Sequence, residues 1–172
     1  LVNNIYKYSN NHAENDIICW GFDVVKENHN TIISYFQKYE QIKKNMTGVE
    51  TLKKIICNNT LRVWTGSLAL KKNFLFKIEL LFTEGCTNGE DQEFIYKAIS
   101  RAKNVTFINK TLSYYLIREG SISNSYNISK FDAINAMVRT YHYIYDSNDT
   151  ELKKIANIIR TRYVIGNYLS NI

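Results

Sequence analysis

Apolar residues along the chain follow two spacings, and the switches between them predict its elements. Asp16-Ile17-Ile18-Cys19-Trp20-Gly21-Phe22 is a short apolar run after a polar loop and predicts a buried strand. From there to about Lys44 the pattern is mixed and fits a hairpin edge or an insertion. Thr47-Gly48-Val49-Glu50 has the form of a capping box, in which the Thr hydroxyl and the Glu carboxylate each satisfy an orphan N–H group. The helix it opens runs through Leu52, Ile55 and Ile56 and stops near Asn58-Asn59. Residues 61–70 read as an extended segment. Gly66 interrupts it, which predicts a bulge or the close approach of another group. Residues 71–75 accommodate one helical turn.

Helical periodicity returns at Phe94, Ile95, Ala98, Ile99 and Ala102, and predicts a helix over 90–102. Val105-Thr106-Phe107-Ile108 predicts one strand and Leu112-Ser113-Tyr114-Tyr115-Leu116-Ile117 another. A polar loop covers 118–123. Two amphipathic helices close the chain. One opens at Ser129 and carries Phe131, Ile134, Met137, Val138, Tyr141 and Tyr145. The other opens near Asp149 and carries Leu152, Ile155, Ala156, Ile159 and Tyr163. Packing on the domain or on each other is the expected fate of both. Lys153, Lys154, Arg160 and Arg162 also admit a membrane-surface role for the last helix. The alternation of short runs and periodic segments predicts a mixed α/β fold: a small sheet flanked by helices, with a C-terminal helical tail.

Composition narrows the classes. The chain has 172 residues, 45% hydrophobic and 22% charged, which suits one globular domain with its own core. No apolar run has the length of a membrane span. Leu1-Val2-Asn3-Asn4 has neither the basic start nor the apolar stretch of a signal peptide, and the missing initial Met suggests a fragment. Cys19, Cys57 and Cys86 are odd in number and far apart, which fits a reducing cytosol rather than a disulfide framework or a zinc site. Abundant Lys, Asn, Ile and Tyr without any Pro fits an AT-rich bacterial genome. The net charge of +6 suits an anionic partner.

Chemistry concentrates in Glu84-Gly85-Cys86-Thr87-Asn88-Gly89-Glu90-Asp91-Gln92-Glu93-Phe94. A Gly/Asn turn is followed by two acids and then by the apolar-periodic run. This places Glu90 and Asp91 at a helix start, where N–H groups and the helix dipole favour negative charge. A loop-presented carboxylate suits a general base. Acids in a first turn also serve simply as dipole partners. Other signatures are absent: no Gly-rich phosphate loop occurs, and His12, His29 and His142 have no metal-ligand spacing.

The ordered series is more specific than any one motif. A segment with Trp64 and Gly66 precedes Gly89-Glu90-Asp91. A short strand, the aromatic strand Leu112-Ser113-Tyr114-Tyr115, and Arg118-Glu119-Gly120-Ser121-Ile122-Ser123 follow. This order resembles the C-terminal half of a bacterial family-2 glycosyltransferase of the GT-A fold, most strongly over 62–123. Residues 1–8 resemble the helix after the metal-binding Asp-x-Asp of that family, and 16–22 the strand after it. The Asp-x-Asp itself and the N-terminal nucleotide-binding half do not occur in this sequence.

The resemblance implies a partial GT-A-like sheet over 1–126 and a helical extension over 127–172. It implies Asp91 as the base of an inverting transfer from a nucleotide sugar, with Glu90 orienting the acceptor or capping the helix. Trp64 and Gly66 would contact the sugar or acceptor, and Arg118 and Ser121 the diphosphate. A divalent metal, Mn or Mg, would be held mainly by residues outside this chain. The implied acceptor is a saccharide or lipid-linked molecule of bacterial surface polysaccharide synthesis. The implied location is the cytoplasm, including the inner face of the membrane, with peripheral membrane contact and homo-oligomers admitted. Nucleic acid is not expected, because the aromatics sit mostly within apolar strands and helices rather than interleaved with Lys and Arg. The competing reading is a non-catalytic binding or structural α/β module.

Overall fold

The computed structural model describes residues 1–11, 14–28, 30–118 and 130–166. Its centre is β1 (Ile17–Lys26), buried along almost its whole length. The apolar run that predicts this strand continues through Val24 and Val25. β2 (Thr31–Ile33) returns antiparallel and pairs at Val24↔Ile33, so the mixed region after Phe22 is a hairpin. α2 (Tyr35–Lys38) follows at once.

The capping box forms as its residues dictate. Thr47 Oγ1 accepts from Glu50 N at 3.1 Å, and Glu50 Oε2 accepts from Thr47 N at 2.8 Å. α3 (Gly48–Leu52) then runs on as a π-helical turn (Lys53–Asn58), closed by Asn59 in the left-handed region. The extended segment expected over 61–70 is shorter. Only β3 (Leu68–Leu70) is a strand, because Ser67 Oγ accepts from Trp64 N and donates to Trp64 O, which winds 65–67 into a 3₁₀ turn. α4 (Lys72–Ile78) extends the single turn expected at 71–75.

α5 (Glu90–Arg101) matches its periodicity and buries Phe94, Ile95, Ala98 and Ile99. The two strands expected after it are one, β4 (Val105–Ile117). Residues 109–111 do not turn. The β1 register jumps from Trp20↔Ile108 to Gly21↔Thr111, so the extra residues bulge outward. Asn109, which reads as a turn residue, holds the backbone of Ile42 instead, accepting from its N at 2.9 Å and donating to its O at 2.7 Å.

β4 lies parallel along all of β1, while β2 and β3 pair antiparallel with opposite ends of β1. One face of the sheet carries Ile17, Cys19, Phe22, Val24 and Phe107 into the main core, shared with α3, α5, α6 (Lys130–Tyr145) and α7 (Thr150–Ile159). The other face buries Ile18, Trp20 and Ile108 against Ile5 and Tyr8 of α1 (Val2–Asn11). Asp149 caps α7, as the sequence predicts, accepting from Glu151 N and Leu152 N. Among the described residues, no helix is long and apolar enough to cross a membrane.

Candidate functional site

A cleft of about 690 Å³ opens between the C-terminal halves of β1 and β4, the segment 61–64 and the start of α5. Its wall is apolar and aromatic where the sheet supplies Phe22, Val24 and Tyr115. Its polar edge comes from Arg62 and from Thr87 to Gln92. Glu90 and Asp91 both line it and are half-buried. Gly89 makes this presentation possible. It starts α5 at φ 81°, a conformation an L side chain rarely adopts, and a Cβ there would lie 2.9 Å from Ala133 Cα of α6. No side chain caps this helix start. Asp91 Oδ1 turns back to accept from Gln92 N at 2.7 Å.

Trp64 lines the same cleft. Its ring meets Tyr115 edge-on, with centroids 4.9 Å apart, and leans on Phe22 at 5.7 Å. Its indole N–H is buried without a hydrogen-bond partner. Gly66 is the close approach expected of it: a Cβ there would sit 2.4 Å from the Trp64 ring, so Gly66 serves the cleft by seating Trp64. Arg118 is exposed just beyond the end of β4, whose Tyr115 and Ile117 line the cleft. Ser121 lies outside the described residues.

Further residues, Glu93, Asp132 and Arg62, shape the site and do not stand out in the sequence. Glu93, 2% exposed, accepts from Arg139 Nη2 at 2.7 Å, Lys97 Nζ at 2.6 Å and Thr83 Oγ1 at 2.9 Å. Burial alone would raise its pKa. The hydrogen bonds from Arg139, Lys97 and Thr83 outweigh it and hold the carboxyl below its ordinary value. Asp132 of α6 accepts from Thr87 Oγ1 at 2.6 Å. Together these contacts fasten α6 to the turn that delivers Glu90 and Asp91. Only the Glu93–Lys97 spacing of four is visible in sequence. Arg62 is the third residue. Its peptide is held by Tyr35, whose hydroxyl donates to Arg62 O at 2.7 Å and accepts from Arg62 N at 3.2 Å.

Among the described residues, no three His, Cys, Asp or Glu side chains converge where they could hold a metal ion.

No protein-family model matches the sequence, and no curated protein matches it. Solved structures do. S. aureus TarS 1–349 in complex with UDP-GlcNAc aligns with a TM-score of 0.68 at 16% identity, covering 98% of this chain and 44% of that one. The same TarS piece with UDP gives 0.62 at 14%, covering 98% and 43%. A longer TarS structure gives 0.62 at 16%, covering 98% and 26%. TarS is a glycosyltransferase, and the chain shares its fold over less than half of the TarS length. The mixed sheet flanked by helices is thus similar to a glycosyltransferase fold.

Proposed function

We propose that this chain is the acceptor-side part of an inverting family-2 glycosyltransferase that uses a nucleotide sugar. The observation that carries the reading is the pair Glu90 and Asp91 at the start of α5, lining one cleft together with Trp64. The fold shared with TarS, which was solved with UDP-GlcNAc, supports it. Asp91 takes the proton of the acceptor hydroxyl as that oxygen attacks the anomeric carbon. The C–O bond to the nucleoside diphosphate breaks on the opposite face, which inverts the centre. Trp64 offers a flat face to a sugar ring. Glu90 orients the acceptor. Arg118 and Ser121 meet diphosphate oxygens.

A divalent ion, Mn or Mg, would neutralise charge on the leaving group, with its ligands mainly outside these residues. The acceptor in this reading is a saccharide or lipid-linked molecule of bacterial surface polysaccharide synthesis, met at the inner face of the membrane. The test is a transfer assay on the parent protein, with a panel of nucleotide sugars and saccharide acceptors, and NMR of the new anomeric centre. Transfer with inverted configuration is the expected result. Transfer with retention, or no transfer from any donor, would overturn the reading in favour of a binding module.

A further inference from the structure

The cleft holds one cation among the described residues, Arg62, an exposed side chain whose guanidinium makes no side-chain hydrogen bond among them. Glu90 and Asp91 share the cleft, yet no salt bridge among the described residues uses Arg62. The peptide behind it, by contrast, is fixed. Residues 61–64 belong to no helix or strand. They are held by the buried Leu61, by the pair of hydrogen bonds between the Tyr35 hydroxyl and the Arg62 peptide, and by the pair between Ser67 Oγ and the Trp64 peptide. A loop that only crosses the surface has no need of a buried tyrosine hydroxyl to pin one residue. Here the pinned residue puts a forked cation in the lining of the same cleft as Trp64, Tyr115, Glu90 and Asp91.

We infer that Arg62 is a specificity-determining residue that selects an acceptor sugar carrying an anionic group, a phosphate or a carboxylate. The ring lies on Trp64, the anionic group meets the guanidinium, and a free hydroxyl points to Asp91. A planar fork of N–H donors matches the oxygens of both groups, and a neutral sugar would leave it solvated and unused. The word "acceptor" rests on the glycosyltransferase reading; the anion site does not.

The test uses the 172-residue chain and four probes: glucose, glucuronate, glucose 6-phosphate and inorganic pyrophosphate. Binding is followed by NMR at the Arg62 side-chain N–H and the Trp64 indole N–H. At least one charged sugar is expected to bind about tenfold or more tighter than glucose, the scale of charge-assisted hydrogen bonds. Both signals should move. Arg62→Gln should erase the preference, Arg62→Lys should keep part of it, and added salt should weaken it. Equal binding of neutral and charged sugars overturns the proposal, as does a preference that survives Arg62→Gln. A shift of Arg62 by pyrophosphate alone, with neither charged sugar binding, assigns the anion to the donor and also overturns it. A parent protein that transfers no sugar, while the chain keeps the preference, removes the glycosyltransferase reading and leaves the Arg62 site standing. Transfer without the preference does the reverse.

Discussion

Glu93 shows how one buried side chain can hold a site it does not line. Its carboxylate joins Thr83, Lys97 and Arg139, and so binds the turn before Glu90 to both α5 and α6. Glu93→Gln keeps the shape and leaves Arg139 and Lys97 without their counter-charge. Thermal or denaturant unfolding should show a loss of about 2–3 kcal/mol, the scale of hydrogen bonds between charged groups. A change near zero would mean that the network contributes little. The pH dependence follows from the sign of the shift. The folded state holds the Glu93 carboxyl below its ordinary value. Its stabilisation is therefore fully present above the unfolded carboxylate value of about 4.3. It is lost as pH falls through the lower, folded value. The acid limb of the stability profile should flatten in Glu93→Gln. The placement of Glu90 and Asp91 at a helix start is legible in the sequence because a Gly turn, two acids and an apolar period are all local. The roles of Arg62 and Glu93 are not, since Tyr35 lies 27 residues from Arg62 and Arg139 lies 46 residues from Glu93.

At the level of elements, local signals hold and non-local ones decide the exceptions. The capping box at Thr47 and Glu50 and the Asp149 cap form where the sequence places them, because each is complete within a few residues. The break expected between 108 and 112 fails for a long-range reason. Asn109 and Lys110 have the composition of a turn, but the Asn109 amide pairs with the backbone of Ile42, 67 residues away. That pairing supplies partners that a turn would have made locally, and β4 stays continuous through the bulge. The same continuity carries Tyr115 and Ile117 to the cleft. Asn109→Ala should therefore cost about 1–3 kcal/mol from the two lost hydrogen bonds to the Ile42 backbone. It should also speed amide hydrogen exchange along 109–117 more than in α5. Equal protection in wild type and variant would show that β4 does not depend on this side chain. The segment 61–64 is a second exception: its apolar residues suggest a strand, and the Ser67 and Tyr35 hydroxyls hold it as a fixed irregular strip instead.

Across the whole molecule, the chain reproduces less than half of the TarS length it matches, and its described residues include a buried hydrophobic core and an aromatic-walled cleft. Phe76, Leu81 and Phe82 are 67%, 84% and 54% exposed, an apolar stretch beside α5 that a partner surface or further chain could cover. In the proposed reading, the donor contacts that dominate affinity, to base, ribose and metal, come mainly from residues outside this chain. Calorimetry of UDP-GlcNAc with Mn²⁺ into the chain alone should thus give a Kd of about 1 mM or weaker. Micromolar affinity would mean that the donor site lies within these residues. The most direct test of the central claim is the turnover of the parent protein with Asp91→Asn, measured together with its donor affinity. The substitution preserves size and removes the proton acceptor that faces the cleft. Turnover should fall by about a hundredfold or more, the scale of general-base catalysis, while donor binding stays nearly unchanged. Near-wild-type turnover in that variant would contradict the assignment of Asp91 as the base.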